Sequence, residues 1–288
     1  MAACGSRAGL VEARGIERLD ALQPGVSGPE ILHDADVLIE AGPSDFRTGG
    51  PGLAYLRAAL AQGMDAVVIS KGALVHRGAE LRALAQAKGA RLKISGATAA
   101  ALPTIDLLDH SLRGATVLTI EGILNATTNY LLNAMVTRGI GFAQALAEAQ
   151  AGGFAEADPR NDTQGWDTAC KLLILANFGL DAGLRIEDMQ VSGIEALTRE
   201  QIADWRHQGL MPRLVGSLTR QGDAWRAQVG LRTYAADDAF ANVPGKTKAI
   251  RIATDTMGDI LAMGGGKEPT ATASAALKDL EHLLEARR

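Results

Sequence analysis

The sequence predicts an α/β protein, with a doubly wound parallel sheet in its N-terminal third and a second, α+β segment after it. Three observations predict this. Short apolar runs at 37–41, 65–70 and 91–98 alternate with helical patterns over roughly 51–62 and 77–88, the mark of βαβ units with right-handed crossovers. A length of 288 residues suits two domains. Thirty-three glycines with only 4% aromatic residues suit tight turns and close helix–sheet packing, and argue against a base-stacking or sugar-stacking binder.

Taken in order, Val37-Leu-Ile-Glu-Ala41 reads as a buried strand. Thr48-Gly-Gly-Pro-Gly52 reads as the start of the next helix, with Pro51 in its first turn. Residues 65–70 form the second strand, and Leu81, Leu84 and Ala85 share one face of the second helix. The pattern changes at Pro103. A helix over 103–112 leads to a strand at 115–123, a long helix from Asn125 to about Arg138, a helix over 141–151, a loop over 152–162 and a helix over 163–178. Residues 209–218 and 225–233 read as antiparallel strands around Gln221-Gly222-Asp223, and 246–264 as two more. A helix over 271–286 follows, which the pattern alone assigns to neither domain.

A net charge of −4 gives no basic field for nucleic acid or an anionic membrane. No apolar run approaches the ~18–20 residues of a membrane span. Arg7, Glu12, Arg14, Glu17 and Arg18 leave no room for a signal-peptide core. Two cysteines, Cys4 and Cys170, make no disulfide framework, so a reducing, cytoplasmic setting is expected.

The chemistry concentrates in 149–171, where Glu156, Asp158, Asp162, Asp167 and Lys171 stand among glycine and proline turns. Asp167 and Lys171 are i,i+4 on one helix face. In a cleft, the carboxylate would orient an ammonium that passes a proton to or from a substrate oxygen, with Glu156 and Asp162 placed to bind a substrate amino group. The same spacing equally describes a solvated surface ion pair. Asp158-Pro-Arg-Asn-Asp162 lacks the glycine and distal glutamate of a calcium loop, so no side-chain metal site is expected. Ser70-Lys71-Gly72 follows a predicted parallel strand, where ligands sit in open α/β sheets, although a loop lysine can equally be only solvated. If residues 1–4 end a strand, Ser6 and Arg7 follow it; an arginine without an acid there suits the 2′-phosphate of NADP. No G-x-G-x-x-G follows any strand, Gly264-Gly-Gly-Lys267 is no P-loop, and G-x-S-x-G is absent.

Over nearly its whole length the chain resembles homoserine dehydrogenase. Gly153-Phe154, Asp158-Pro159, Asp162, Gly165, Asp167 and Lys171 match that family's signature, with Thr163 where an aliphatic residue is usual. Gly122-Ile-Leu-Asn-Ala-Thr-Thr-Asn-Tyr130 resembles the family's Gly-Ile-x-Asn-Gly-Thr-Thr-Asn-Tyr stretch. Ser70-Lys71-Gly72 resembles its Asn-Lys-Gly/Ala turn, and Ala97-Thr-Ala-Ala-Ala-Leu-Pro103 stands where it has a glycine-rich turn. Thr272-Ala-Ser-Ala275 resembles the helix that returns to its nucleotide domain.

The resemblance implies a Rossmann-like dinucleotide-binding domain over 1–102, to which the helix 271–288 returns, and a substrate-binding and dimerisation domain over 103–270. It implies reversible NAD(P)-dependent interconversion of L-homoserine and L-aspartate 4-semialdehyde, in threonine, methionine and isoleucine biosynthesis. Lys171 is then the proton donor and acceptor, and Asp167 its orienter. Glu156 binds the substrate ammonium with Asp162 in support. Lys71 sits between nicotinamide and substrate, and Ser6, Arg7, Ser70 and Gly264 belong to the cofactor site. A homodimer is implied through the strands of 209–264. Some members bind a sodium ion (Na+) through backbone carbonyls near the turn equivalent to 98–102. The family opens with a strand and a G-x-G-x-x-G turn that this sequence does not show, so about 30 residues and the pyrophosphate site are expected to be missing. Two readings follow: an active enzyme whose start lies upstream, which the intact catalytic constellation favours, or a non-catalytic homologue, a pseudoenzyme or oligomer partner that keeps the substrate pocket. No threonine feedback is expected, because the chain ends where the returning helix does.

Overall fold

The computed structural model describes residues 1–25, 28–32, 35–266 and 269–285, apart from the side chains of Leu19 and Glu30. Lys267 of the glycine run and residues 286–288 of the expected last helix lie outside them. The chain divides into two compact units, one of residues 1–97 with the terminal helix from Thr272, the other of residues 98–271.

In the first unit, β1 (Ala2–Cys4), β2 (Ala8–Val11) and β3 (Gln23–Pro24) form a small antiparallel sheet. A separate parallel sheet runs β4 (Val37–Glu40), β5 (Asp65–Val68), β6 (Leu92–Lys93), in chain order. Helices α1 (Gly50–Ala61) and α2 (Gly72–Lys88) connect its strands. β5 is buried throughout, as a central parallel strand should be. The alternation of side chains then sorts the faces. Leu38 packs with Ala59 and Tyr55 of α1, while Val37, Val67 and Ile69 pack with Ala276 and Leu283 of the terminal helix. Helices on both faces make the sheet doubly wound. The terminal helix is also held by polar groups: buried Asp279 accepts from the Ser95 amide at 2.9 Å and hydroxyl at 2.7 Å, and Arg91 bridges Asp65 and the Leu283 carbonyl.

Two expectations need correction here. Residues 2–4 do form a strand, but it pairs antiparallel with 8–11 outside the parallel sheet. Ser6 and Arg7 therefore occupy a hairpin turn, closed by Gly5 N–H to Ala8 C=O at 2.9 Å, and not the carboxyl end of a parallel strand. Of 91–98 only Leu92 and Lys93 are extended; the chain then turns into a short helix, α3 (Ser95–Ala99). The alanine-rich turn after it forces Ala100 to φ +56°, a left-handed conformation costing a residue with a Cβ about 1–2 kcal/mol.

The second unit continues with α4 (Thr104–Asp106), a π-helical turn over Leu107–Ser111, β7 (Val117–Ile123), α5 (Ala126–Arg138), α6 (Phe142–Ala151), α7 (Arg160–Thr163), α8 (Trp166–Gly179), β8 (Gln190–Val191) and α9 (Arg199–His207). The strands β9 (Met211–Gln221), β10 (Ala224–Tyr234), β11 (Lys248–Thr254) and β12 (Asp259–Gly264) complete a six-stranded sheet of order β12-β11-β7-β9-β10-β8. β9 and β10 pair antiparallel from Met211–Tyr234 to Gln221–Ala224 across the predicted turn. Helix α9 was not expected, although Thr198 and Gln201 form a reciprocal capping box, a signal present in the sequence. Helices α5 and α8 pack on this sheet, and that packing positions the site.

Candidate active site

The site of the second unit begins where β7 runs through Leu124 into α5. Asn125, at β-region dihedrals, caps the helix by accepting the Thr128 N–H on its Oδ1 at 2.9 Å. Helix α8 starts against this junction. Gly165 at its N-cap has φ +89°, which a side chain rarely adopts, with Val229 and Val191 crowding any Cβ; glycine is required there. From this start Asp167 and Lys171 fall one turn apart on the face turned to α5.

Lys171 Nζ donates to Asp167 Oδ2 at 2.6 Å and to the Leu124 carbonyl at 2.9 Å. The two side chains are 11% and 9% exposed, which decides against the solvated surface pair that spacing alone left open. Asn125 Nδ2 donates to Asp162 Oδ1 at 2.7 Å and to Asp167 Oδ2 at 2.8 Å. Asp162, Asp167 and Lys171 are thus brought together. Burial, and then the negative charge of Asp167, push the Asp162 carboxyl above the usual aspartate range. Chemically this is a lysine nitrogen with fixed orientation beside a carboxylate pair: a proton donor as the ammonium, or an acceptor as the amine, for an alcohol oxygen, with anionic oxygens for a substrate cation.

The raised Asp162 sets a sign. Its folded form holds a proton more tightly than the unfolded one, so its ionisation costs stability above that raised value and costs nothing below ordinary aspartate pH. Asp162→Asn therefore raises Tm at pH 7, and the gain vanishes as pH falls to about 4. Thermal melts at both pH values check this; a lower Tm at pH 7 would refute it.

Glu156 is exposed, and its carbonyl accepts from Gln150 Nε2 at 3.0 Å. Thr163 is fully buried with its hydroxyl donating to Glu195 at 2.6 Å, which explains a polar residue where the family pattern has an aliphatic one. Gly264 ends β12.

In the first unit, Ser70 and Lys71 follow β5 at the carboxyl edge of the parallel sheet. Ser70 is buried and donates to Glu40 Oε2 at 2.6 Å, so its hydroxyl is committed to the protein. Lys71 N-caps α2, its amide donating to Ser44 Oγ at 3.0 Å. Gly72 is needed because a Cβ would stand 2.5 Å from the Asp45 carbonyl oxygen. Sequence reasoning missed Glu40, a buried carboxylate at a parallel strand's carboxyl end, and Asn125, which the Asn-x-x-Thr cap of a long helix could have flagged.

Fold and site define the class: a two-unit α/β oxidoreductase. The family model for homoserine dehydrogenase matches residues 103–280. The NAD(+)-dependent homoserine dehydrogenase of Pseudomonas canavaninivorans is 36% identical over 250 residues, covering 86% of this chain and 71% of that protein. The homoserine dehydrogenase of Methanocaldococcus jannaschii is 34% identical, over 87% of this chain and 73% of that one. Among solved structures, a homoserine dehydrogenase from Thiobacillus denitrificans superposes with a TM-score of 0.80 at 31% identity, covering 85% of this chain and 56% of that one. The chain belongs to the homoserine dehydrogenase family. Among the described residues no helix is long and apolar enough to cross a membrane.

Proposed function

We propose that the chain interconverts L-homoserine and L-aspartate 4-semialdehyde with NAD or NADP, as a cytoplasmic homodimer serving threonine, methionine and isoleucine biosynthesis. The observation that carries this is the Lys171 ammonium pinned between Asp167 and the Leu124 carbonyl. During homoserine oxidation the neutral Lys171 amine takes the hydroxyl proton and becomes the ammonium, and during reduction that ammonium returns the proton to the same oxygen. Asp167 keeps the ammonium in place, and Asp162 with Glu156 receives the substrate's amino group. The nicotinamide, when bound, accepts or supplies the hydride. The carboxyl edge of the parallel sheet fits such a group: a buried strand ends there at the start of α2, with Lys71 at the helix N-cap to hold it. Ser6 and Arg7 lie in a separate sheet, which removes the premise of a preference for NADP.

The test is homoserine-dependent reduction of NAD and NADP, assayed separately with the 288-residue chain and with one extended upstream. Turnover with either cofactor supports the reading. Homoserine binding without turnover in both forms would favour the non-catalytic homologue, and no response to homoserine would overturn the reading.

A further inference from the structure

We infer that Asn125 is a positioning residue for the proposed reaction: its side-chain amide ties Asp162 and Asp167 into one seat that aims the Lys171 ammonium. The inference rests on the homoserine-oxidation reading above.

The amide's orientation is dictated by its partners. A backbone N–H can only donate, so the atom facing Thr128 N at 2.9 Å must be Oδ1, and the NH2 group must face the carboxylates. Its two contacts, 2.7 Å to Asp162 and 2.8 Å to Asp167, use both of its hydrogens. Two carboxylates this close repel, and a neutral group donating once to each can hold both without adding charge. Asp167 Oδ2 is shared between Asn125 and Lys171, so a shift of the amide moves the carboxylate against which the ammonium is braced. The other brace is the carbonyl of Leu124, the preceding residue. One strand-to-helix junction therefore sets the ammonium and both acids. Asn125 is 5% exposed, so bulk water is not at hand to replace it.

The competing reading is that Asn125 only caps α5. Aspartate and serine are comparable N-caps, so Asn125→Asp and Asn125→Ser separate the two. Among the described residues the amide is bonded to Asp162 from α7, Asp167 from α8, and the N–H and hydroxyl of Thr128 from α5, while Lys171 shares the same Asp167 oxygen. Asn125→Asp puts a third carboxylate among them. Its kcat for homoserine oxidation is expected to fall on the order of 100-fold, as for a reacting group displaced by about 1 Å. KM should change far less, and the acid limb of the kcat/KM profile should move to higher pH. Asn125→Ser keeps a cap but loses the two-armed donor; its kcat falls too, and the Asp162 carboxyl-carbon NMR titration in the ligand-free chain moves up. A wild-type kcat and pH profile in both variants, with Tm unchanged, would reduce Asn125 to a cap and overturn the inference. A loss of Tm in step with activity, with an unmoved Asp162 titration, would do the same. Should the unaltered chain fail to oxidise homoserine while the Asp162 titration still responds to Asn125→Ser, the reaction assignment fails although the amide still sets the acids.

Discussion

Lys171→Ala is expected to lower kcat for homoserine oxidation by about 10²–10⁴-fold, with a smaller change in KM. The size follows from what Lys171 does: without its amine the alcohol proton has no positioned side-chain acceptor as the hydride leaves. Because Lys171 and Asp167 are both nearly buried, removing the lysine alone strands the Asp167 carboxylate, and that can cost several kcal/mol of stability. Asp167→Asn/Lys171→Met separates the two effects. The double variant replaces the pair by neutral side chains, so it should recover much of the lost Tm yet none of the lost rate. Steady-state kinetics beside thermal melts decide it. A rate within threefold of normal in a folded single variant would remove Lys171 from the proton-transfer role.

The Asp167–Lys171 pair shows how far a sequence can be read and where it stops. Their separation fixes a shared helix face, because four residues advance nearly one turn. Whether that face meets solvent depends on what packs against it, and here that is Leu124 and Asn125, more than forty residues earlier. The parallel strands at 37 and 65 were legible from their apolar runs, but only β5, the central one, buries both faces; β4 lies at the end of the sheet order, half-buried and with Ile39 exposed, and so is not the buried strand its run suggested. The hairpin at residues 2–11 was not. Its pairing depends on a partner strand and not on any pattern within Ala2–Cys4. Ser6 and Arg7 were assigned a role from a strand direction that the pairing contradicts. Ser70 was placed in the cofactor site by the family resemblance alone; it does follow β5, and its one hydroxyl hydrogen goes to Glu40, a pairing no motif announces. Polar pairing inside a fold is long-range information, and residue spacing carries only the short-range part.

The second large expectation concerns Arg213, buried on β9 at 1% exposure. Its guanidinium donates to the carbonyls of Phe240, Ala241 and Val243 and to Asn129 Oδ1, at 2.7–2.9 Å. Asn129 in turn donates to the carbonyls of Pro244 and Thr247. One cation thus ties the 235–247 segment to the sheet and to α5, the helix whose N-cap is Asn125. Burial brings Arg213 down to about 10, so it remains charged at neutral pH. Arg213→Met fills much of the volume but removes the guanidinium's hydrogen bonds from three carbonyls and an amide oxygen at a buried position. The expected loss is about 3–5 kcal/mol, the range for removing one side of a buried charge-assisted network. For a unit of this size that is a fall in Tm of roughly 10 °C. Urea unfolding followed by tryptophan fluorescence measures it, with Arg220→Met, on the exposed end of the same strand, as the comparison. If the two variants lose the same stability, the Arg213 bonds are no stronger than those the carbonyls would make with water, and the 235–247 segment is held instead by the apolar packing of Phe240, Val243, Ile123 and Val215.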